Sequence, residues 1–276
     1  MTPAPSSWRF LLLIPGRLVF LLGVVTSSLP AAPLIVAHRG ASADAPENTL
    51  PAFELAWEQN ADAIEGDFRL TSDGRVVCFH DADTKKITGQ KLAVASSTLA
   101  ELQGLDAGAW KDDRFRGTRI PTLAAVLATV PAGKQIFIEV KTGPEIVPAL
   151  LADLDASGLD AAQVVIIAFD AAVVKDVKAR RPELTANWLR SFDKKADCAA
   201  ALPEILATLR RIKADGLGSN PHPTLGRAFV EAIGSAGFAH HIWTVDDPRV
   251  ARDLLAIGIR SITTNTPGKM KTALSE

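Results

Sequence analysis

Cys78 and Cys198 are the only cysteines in 276 residues. Two are too few for a disulfide framework and cannot make a zinc site alone; Cys78 is expected to be a small buried thiol. An excess of charge of either sign is also missing. Thirty basic residues against 31 acidic ones leave a net charge of −1, which argues against nucleic acid, whose phosphates call for a basic surface. Long apolar stretches are absent too. The run Leu18–Val25 has eight residues, and the sixteen counted from Phe10 are interrupted by Pro15-Gly16-Arg17. A helix that crosses a bilayer needs about 20. No linker, low-complexity tract or internal repeat is visible. With 47% apolar residues, the chain can fill a sizeable core, as one large α/β barrel or two modest domains.

The first 32 residues differ from the rest. Arg9 and Arg17 precede "LVFLLGVV", and the small and polar "TSSLPAA" follows it. A basic region, a short apolar region and a small-residue region describe a secretory signal, with cleavage expected near Ala31 or Ala32 and a periplasmic or secreted product. The alternative is an uncleaved membrane anchor. N-terminal sequencing of protein exported by the native cell should find a start after about residue 31. An intact Met1 or Thr2 on membrane-bound material would favour the anchor.

From residue 33 to 276, short β-rich runs alternate with helical stretches. The runs are Leu34–Ala37, Ala63–Phe68, Val76–Phe79, Gln135–Val140, Val164–Ala168, Thr185–Leu189, Ala214–Leu217, His240–Val245 and Ser261–Thr263. Helical spacing is clearest in Leu50–Glu58, Leu123–Val130, Glu145–Leu154 and Pro248–Ile257. Gly158, Gly216, Gly237 and Gly258 fall near expected joints. Alternating β and α implies a parallel sheet covered by helices, and nine candidate strands suit a (β/α)8 barrel with one run peripheral. Only Arg69 to Arg75 separates the second and third runs, too little for a crossover helix. The expectation is therefore an irregular TIM barrel. A short insertion should follow the third strand, over about residues 84–118, with a helical piece near Thr98–Gln103.

A barrel carries its chemistry at the C-terminal ends of its strands. Here those ends read "VAHRG", "IEGD", "CFHD" and "FIEVK", which supply His38, Arg39, Glu65, Asp67, His80, Asp81, Glu139 and Lys141. Glu65 and Asp67 share one strand face roughly 7 Å apart. Two negative charges at that distance repel by about 2 kcal/mol at an effective dielectric near 20. Glu139, inward like Lys141, would add a third. One reading is a hard cation among them, Mg²⁺ or Ca²⁺; the other is an acidic cluster paired with Arg39 and Lys141. Two histidines beside such a site can serve as acid and base near neutral pH. Arg39 and Lys141 suit an anionic substrate, Arg offering paired contacts to phosphate oxygens. Together these groups describe phosphodiester cleavage.

The same stretches resemble the glycerophosphodiester phosphodiesterase family. "AHRGASADAPENTLPAF" is similar to its opening motif, "ADAIEGDFRLTSDGRVVCFHD" to its second block and "IEVK" to its third. "LDAGAWKDDRFRGTRIPTLAAVL" resembles its short insertion and the helix after it, and "IWTVDD" extends the likeness, which covers about Leu34 to Pro267. The resemblance implies a TIM barrel that hydrolyses glycerophosphodiesters to glycerol 3-phosphate and an alcohol. It implies His38 and His80 as the acid–base pair, with His38 read as the acid, and Glu65, Asp67 and Glu139 as metal ligands. Arg39 and Lys141 would hold the phosphate, Trp243 would pack near the substrate, and Glu47 and Asn48 would brace the loop after the first strand.

Two departures stand out. Relatives often end in "TDxP" where this chain reads "TTNTP", placing Thr264 where Asp is common. Ala168 stands where Ser often precedes Phe. Both bear on alcohol and glycerol specificity and not on the reaction class. A lysophospholipase D or sphingomyelinase D-like lipid phosphodiesterase is the alternative enzyme, and a non-catalytic phosphoester-binding barrel the alternative of another class. The expected partner is a small glycerophosphodiester, with membrane contact only through the N-terminal segment or a lipid substrate.

Overall fold

Among the described residues, nine strands form where the β-rich runs lie. They are β1 (Leu34–His38), β2 (Ala63–Leu70), β3 (Val76–Cys78), β4 (Gln135–Val140), β5 (Val164–Ala168), β6 (Thr185–Arg190), β7 (Gly216–Ser219), β8 (Ala239–Ile242) and β9 (Ser261–Thr264). The computed structural model describes Met1 and residues 33–275; the segment read as an export signal lies outside the described residues. Eight of the strands pair in parallel in the order β1-β2-β4-β5-β6-β7-β8-β9. The ring closes where β9 meets β1, with Val36 opposite Thr263. Helices cover its outside, so the fold is the expected TIM barrel.

The irregularity falls where the short second connection places it. β3 runs antiparallel to β2 outside the ring, with Phe68 opposite Cys78 and Leu70 opposite Val76. Its alternating side chains serve two cores. Val76 and Cys78 join the large cluster between barrel and helices, whereas Val77 and Phe79 pack with Ile87, Val94, Leu102 and Ile120 of the insertion and its flank. A strand buried on both faces reads as a continuous apolar run, whichever direction it takes. In the insertion, the helix Leu99–Gln103 starts at a capping box in which Thr98 and Glu101 bond each other's backbone N–H groups.

The helix Leu50–Glu58 has the bounds that its spacing predicts, with Pro51 in its first turn and Ala52, Phe53 and Ala56 buried. Elsewhere the bounds shift. The expected helix Glu145–Leu154 is a 3₁₀ turn, Pro144–Ile146, followed by Val147–Ser157. Gly158, Gly237 and Gly258 do take positive φ, as joints require. Gly216 opens β7 without a positive φ, and its glycine has another reason. A Cβ there would sit 2.7 Å from the Ala239 carbonyl oxygen and 2.8 Å from Asn187 Oδ1. Close approach of neighbours, and not a turn, demands that glycine.

Inside the ring, Val36, Ala63, Phe137, Val165, Ile167 and Leu189 fill the barrel. The interior is therefore a packed core, and reactive groups are left to its rim. Cys78 is free and fully buried, as expected, and so is Cys198.

Candidate active site

β1 delivers His38 to the rim, opposite Glu65 of β2. The chain then turns sharply: Arg39 takes φ 56° and Gly40 φ 81°. A Cβ on Gly40 would lie 2.5 Å from the Ala52 carbonyl carbon. Gly40→Ala is therefore expected to lower unfolding free energy by about 1–3 kcal/mol, read as a drop in the urea midpoint. An unchanged midpoint would show that the loop after β1 relaxes around a side chain.

β2 and β4 carry the carboxylates. Asp67 is opposite Glu139, and ligand oxygens of Glu65, Asp67 and Glu139 all lie within 4.8 Å of one another. Glu65 and Asp67 are almost wholly shielded from solvent, at 3% and 1% exposure. Burial and the neighbouring Asp67 and Glu139 push the Glu65 carboxyl well above its ordinary range. Glu139 rises for the same reasons, burial first and then Asp67. Asp67 goes the other way: burial opposes its charge, but Arg39, Lys141, His80 and Asn48 outweigh burial.

Both proposed phosphate-binding cations turn toward this cluster. Lys141 Nζ donates to Glu139 Oε1 at 2.7 Å and sits 3.5 Å from Asp67. Arg39 Nη1 donates to Glu47 at 2.7 Å. Its Nε lies 3.1 Å from Asp67 Oδ2, yet without the alignment of a hydrogen bond, so this buried N–H has no acceptor among the described residues. The ion pairs of the acidic-cluster reading are thus present, but they do not complete it. Among the described residues, Glu65 Oε1 is buried with no hydrogen-bond partner.

His80 does not end a barrel strand. It follows the antiparallel β3, which returns it to the rim, where Arg69 of β2 clamps its carbonyl with bonds of 2.9 and 2.7 Å. Its Nδ1 lies 2.6 Å from Asp81 Oδ1. His38 is held by Asn265, whose Oδ1 is 2.7 Å from its Nδ1. Burial and the adjacent Arg39 hold His38 below the ordinary imidazole value. Asp67 interacts electrostatically with both histidines. Trp243 packs edge to face on the exposed Phe169, with ring centroids 5.5 Å apart, and Lys141 Nζ stands 5.9 Å from the centre of the same Phe169 ring.

Several residues at the site escape a strand-end reading. Asn48 holds Asp67 through both its amide ends, and Glu47 pairs Arg39, so the bracing expected of these two is present. Asp81 does stand among the strand-end residues, but its contact with His80 Nδ1 is a finding of the structure. Asn265 and Asp246 are tied to His38 through contacts that no local pattern records. The two departures need correction. Ala168 faces the helix-side core, not the substrate. Thr264 is buried and donates to Asp246; counted back from Pro267, the Asp of "TDxP" falls at Asn265, and Asn265 is the residue that reaches the site.

Residues 38–269 match the profile of the glycerophosphoryl diester phosphodiesterase family. The Bacillus subtilis protein YhdW, named provisionally as a glycerophosphodiester phosphodiesterase, is 35% identical over 241 residues, covering 84% of this chain and 94% of the relative. The glycerophosphodiester phosphodiesterase of Caldanaerobacter subterraneus is 33% identical over 244 residues, 85% of this chain and 94% of that one. Among solved structures, an Oleispira antarctica phosphodiesterase in complex with the product sn-glycerol-3-phosphate superposes with a TM-score of 0.80 at 26% identity, covering 88% of this chain and 97% of that chain.

Proposed function

The chain belongs to the glycerophosphoryl diester phosphodiesterase family, and from that premise we propose that it hydrolyses glycerophosphodiesters to glycerol 3-phosphate and an alcohol with a divalent ion and a histidine pair. The observation that carries this reading is the orphaned Glu65 Oε1 inside a cluster of three carboxylates. An all-oxygen, multiply charged donor set fits Mg²⁺ or Ca²⁺. Glu65, Asp67 and Glu139 would hold the ion, which when bound supplies charge to polarise a phosphoryl oxygen.

The remaining steps belong to the chain's own side chains. Arg39, whose buried Nε lacks an acceptor, and Lys141 bind the phosphate oxygens. His38 rests neutral, because burial and Arg39 disfavour its charge, and it takes the proton of the nucleophile. That nucleophile is water or the substrate's own neighbouring hydroxyl. His80, its Nδ1 bonded to the acceptor-only Asp81 carboxylate, protonates the leaving oxygen. This assigns the roles opposite to the reading from sequence, which made His38 the acid. Trp243 and Phe169 would flank the alcohol or glycerol portion. Residues 33–276 would form one catalytic domain, acting outside the cytoplasm if the N-terminal segment directs export.

Product analysis by ³¹P spectroscopy on glycerophosphocholine, glycerophosphoethanolamine and lysophosphatidylcholine tests the substrate class. Glycerol 3-phosphate should appear from the first two. Turnover of the lysolipid alone would replace this reading with the lysophospholipase D one.

A further inference from the structure

Asn265 and Asp246 have no part in the chemistry described so far, yet their hydrogen bonds leave one arrangement open. Asn265 follows β9, and its Oδ1 faces His38 Nδ1 at 2.7 Å and accepts from Ser42 Oγ at 2.9 Å. On its other side, Nδ2 donates to Asp246 Oδ2 at 2.7 Å, and the Asn265 backbone N–H donates to Asp246 Oδ1 at 2.7 Å. Thr264 Oγ1 donates to that same Oδ1 at 2.8 Å. Burial opposes the charge of Asp246, but the bonds from Asn265 and Thr264 hold its carboxyl below the usual range. An ionised carboxylate only accepts. The Asn265 amide therefore cannot turn over: its NH₂ must face Asp246 and its carbonyl must face His38. A carbonyl oxygen also only accepts, so His38 Nδ1 must carry the hydrogen, and the lone pair of the neutral ring is on Nε2.

We propose that Asp246 and Asn265 are positioning residues that fix the tautomer of His38, so that Nε2 is the nitrogen offered to the substrate as a base. The inference rests on the reading of His38 as a proton-transfer group. Neither residue needs to touch substrate; the relay works because each link has one sense. In Asp246→Asn the oxygen must stay where two donors already meet it, opposite the Asn265 backbone N–H and Thr264. The new NH₂ then faces Asn265, whose amide must turn and present its own NH₂ to His38. His38 Nδ1 becomes an acceptor, and Nε2 gains the hydrogen. Exchanging the two residues, in Asp246→Asn with Asn265→Asp, restores a donor facing an acceptor-only group and returns the hydrogen to Nδ1.

Two-bond ¹H–¹⁵N spectra of the ¹⁵N-histidine-labelled full chain separate the two neutral tautomers. They would be recorded at about pH 8, where an ordinary imidazole is neutral, with His38 assigned by its loss in His38→Gln. The expected result is Nδ1–H in the unaltered protein, Nε2–H in Asp246→Asn, and Nδ1–H again in the exchanged pair. The kcat of Asp246→Asn should fall by about 10²-fold with KM little changed, and the exchange should recover it to within about tenfold. An Nε2–H tautomer in the unaltered protein overturns the proposal without any variant, as does an unchanged tautomer in Asp246→Asn. A reversed tautomer with undiminished kcat upholds the relay and overturns the proton role of His38. A purely structural role would lower stability in both variants and leave the tautomer and the kcat-to-KM pattern unmoved.

Discussion

Stripped of divalent ions and assayed in excess chelator, the protein should lose at least about 10²-fold in turnover, and Mg²⁺ or Ca²⁺ should restore it. The reason is electrostatic. Three carboxylates each offer an oxygen within 4.8 Å of the others, while Arg39 and Lys141 are divided between this cluster, Glu47 and the phosphate they are proposed to bind. Without a cation, burial and mutual repulsion raise Glu65 and Glu139; a bound cation reverses that preference. A second readout does not depend on activity. An ion that binds only the folded chain adds about 3 kcal/mol of stability at a hundredfold excess over its dissociation constant. Thermal denaturation should therefore shift upward with Mg²⁺ or Ca²⁺, and the shift should vanish in Glu65→Gln. Full activity after metal-free preparation, in chelator, would exclude the metal from the reaction.

Removing either histidine should lower kcat by about 10² to 10⁴, the range of one acid–base group. The two losses should differ in character. A nitrophenolate leaving group departs without protonation, so it should rescue His80→Ala and leave His38→Ala crippled. Asp81 backs the first expectation through its 2.6 Å contact with His80; the depressed His38, facing a neutral amide, backs the second. Equal rescue of both variants would remove the assignment of roles. Near-normal kcat in both, with folding intact, would remove the mechanism.

Much of the architecture is written in local chemistry. β4, β5 and the helix Leu50–Glu58 have the bounds that periodicity predicts, because a buried strand and an amphipathic helix each impose a spacing on their own residues. The short Arg69–Arg75 connection determines that β2 and β3 cannot be parallel neighbours. Pairs two apart on one strand, Glu65 with Asp67 and Glu139 with Lys141, share a face by geometry alone, so the carboxylate cluster and its lysine are legible as well.

What lies beyond reach of the sequence depends on register between distant strands. His80 reaches the rim only because β3 runs back along β2, and an apolar run buried on both faces carries no mark of direction. Gly216 looks like a joint until Asn187 and Ala239 close on it. Aligned on Pro267, the pattern "TDxP" singles out Asn265, but only the closure of β9 on β1 turns Thr264 into the shell and brings Asn265 to His38, 227 residues away in the chain. Periodicity governs which face a side chain takes relative to its own neighbours. Only the closed barrel fixes which other strand's residue it meets, and the proton-bearing nitrogen of His38 depends on that meeting.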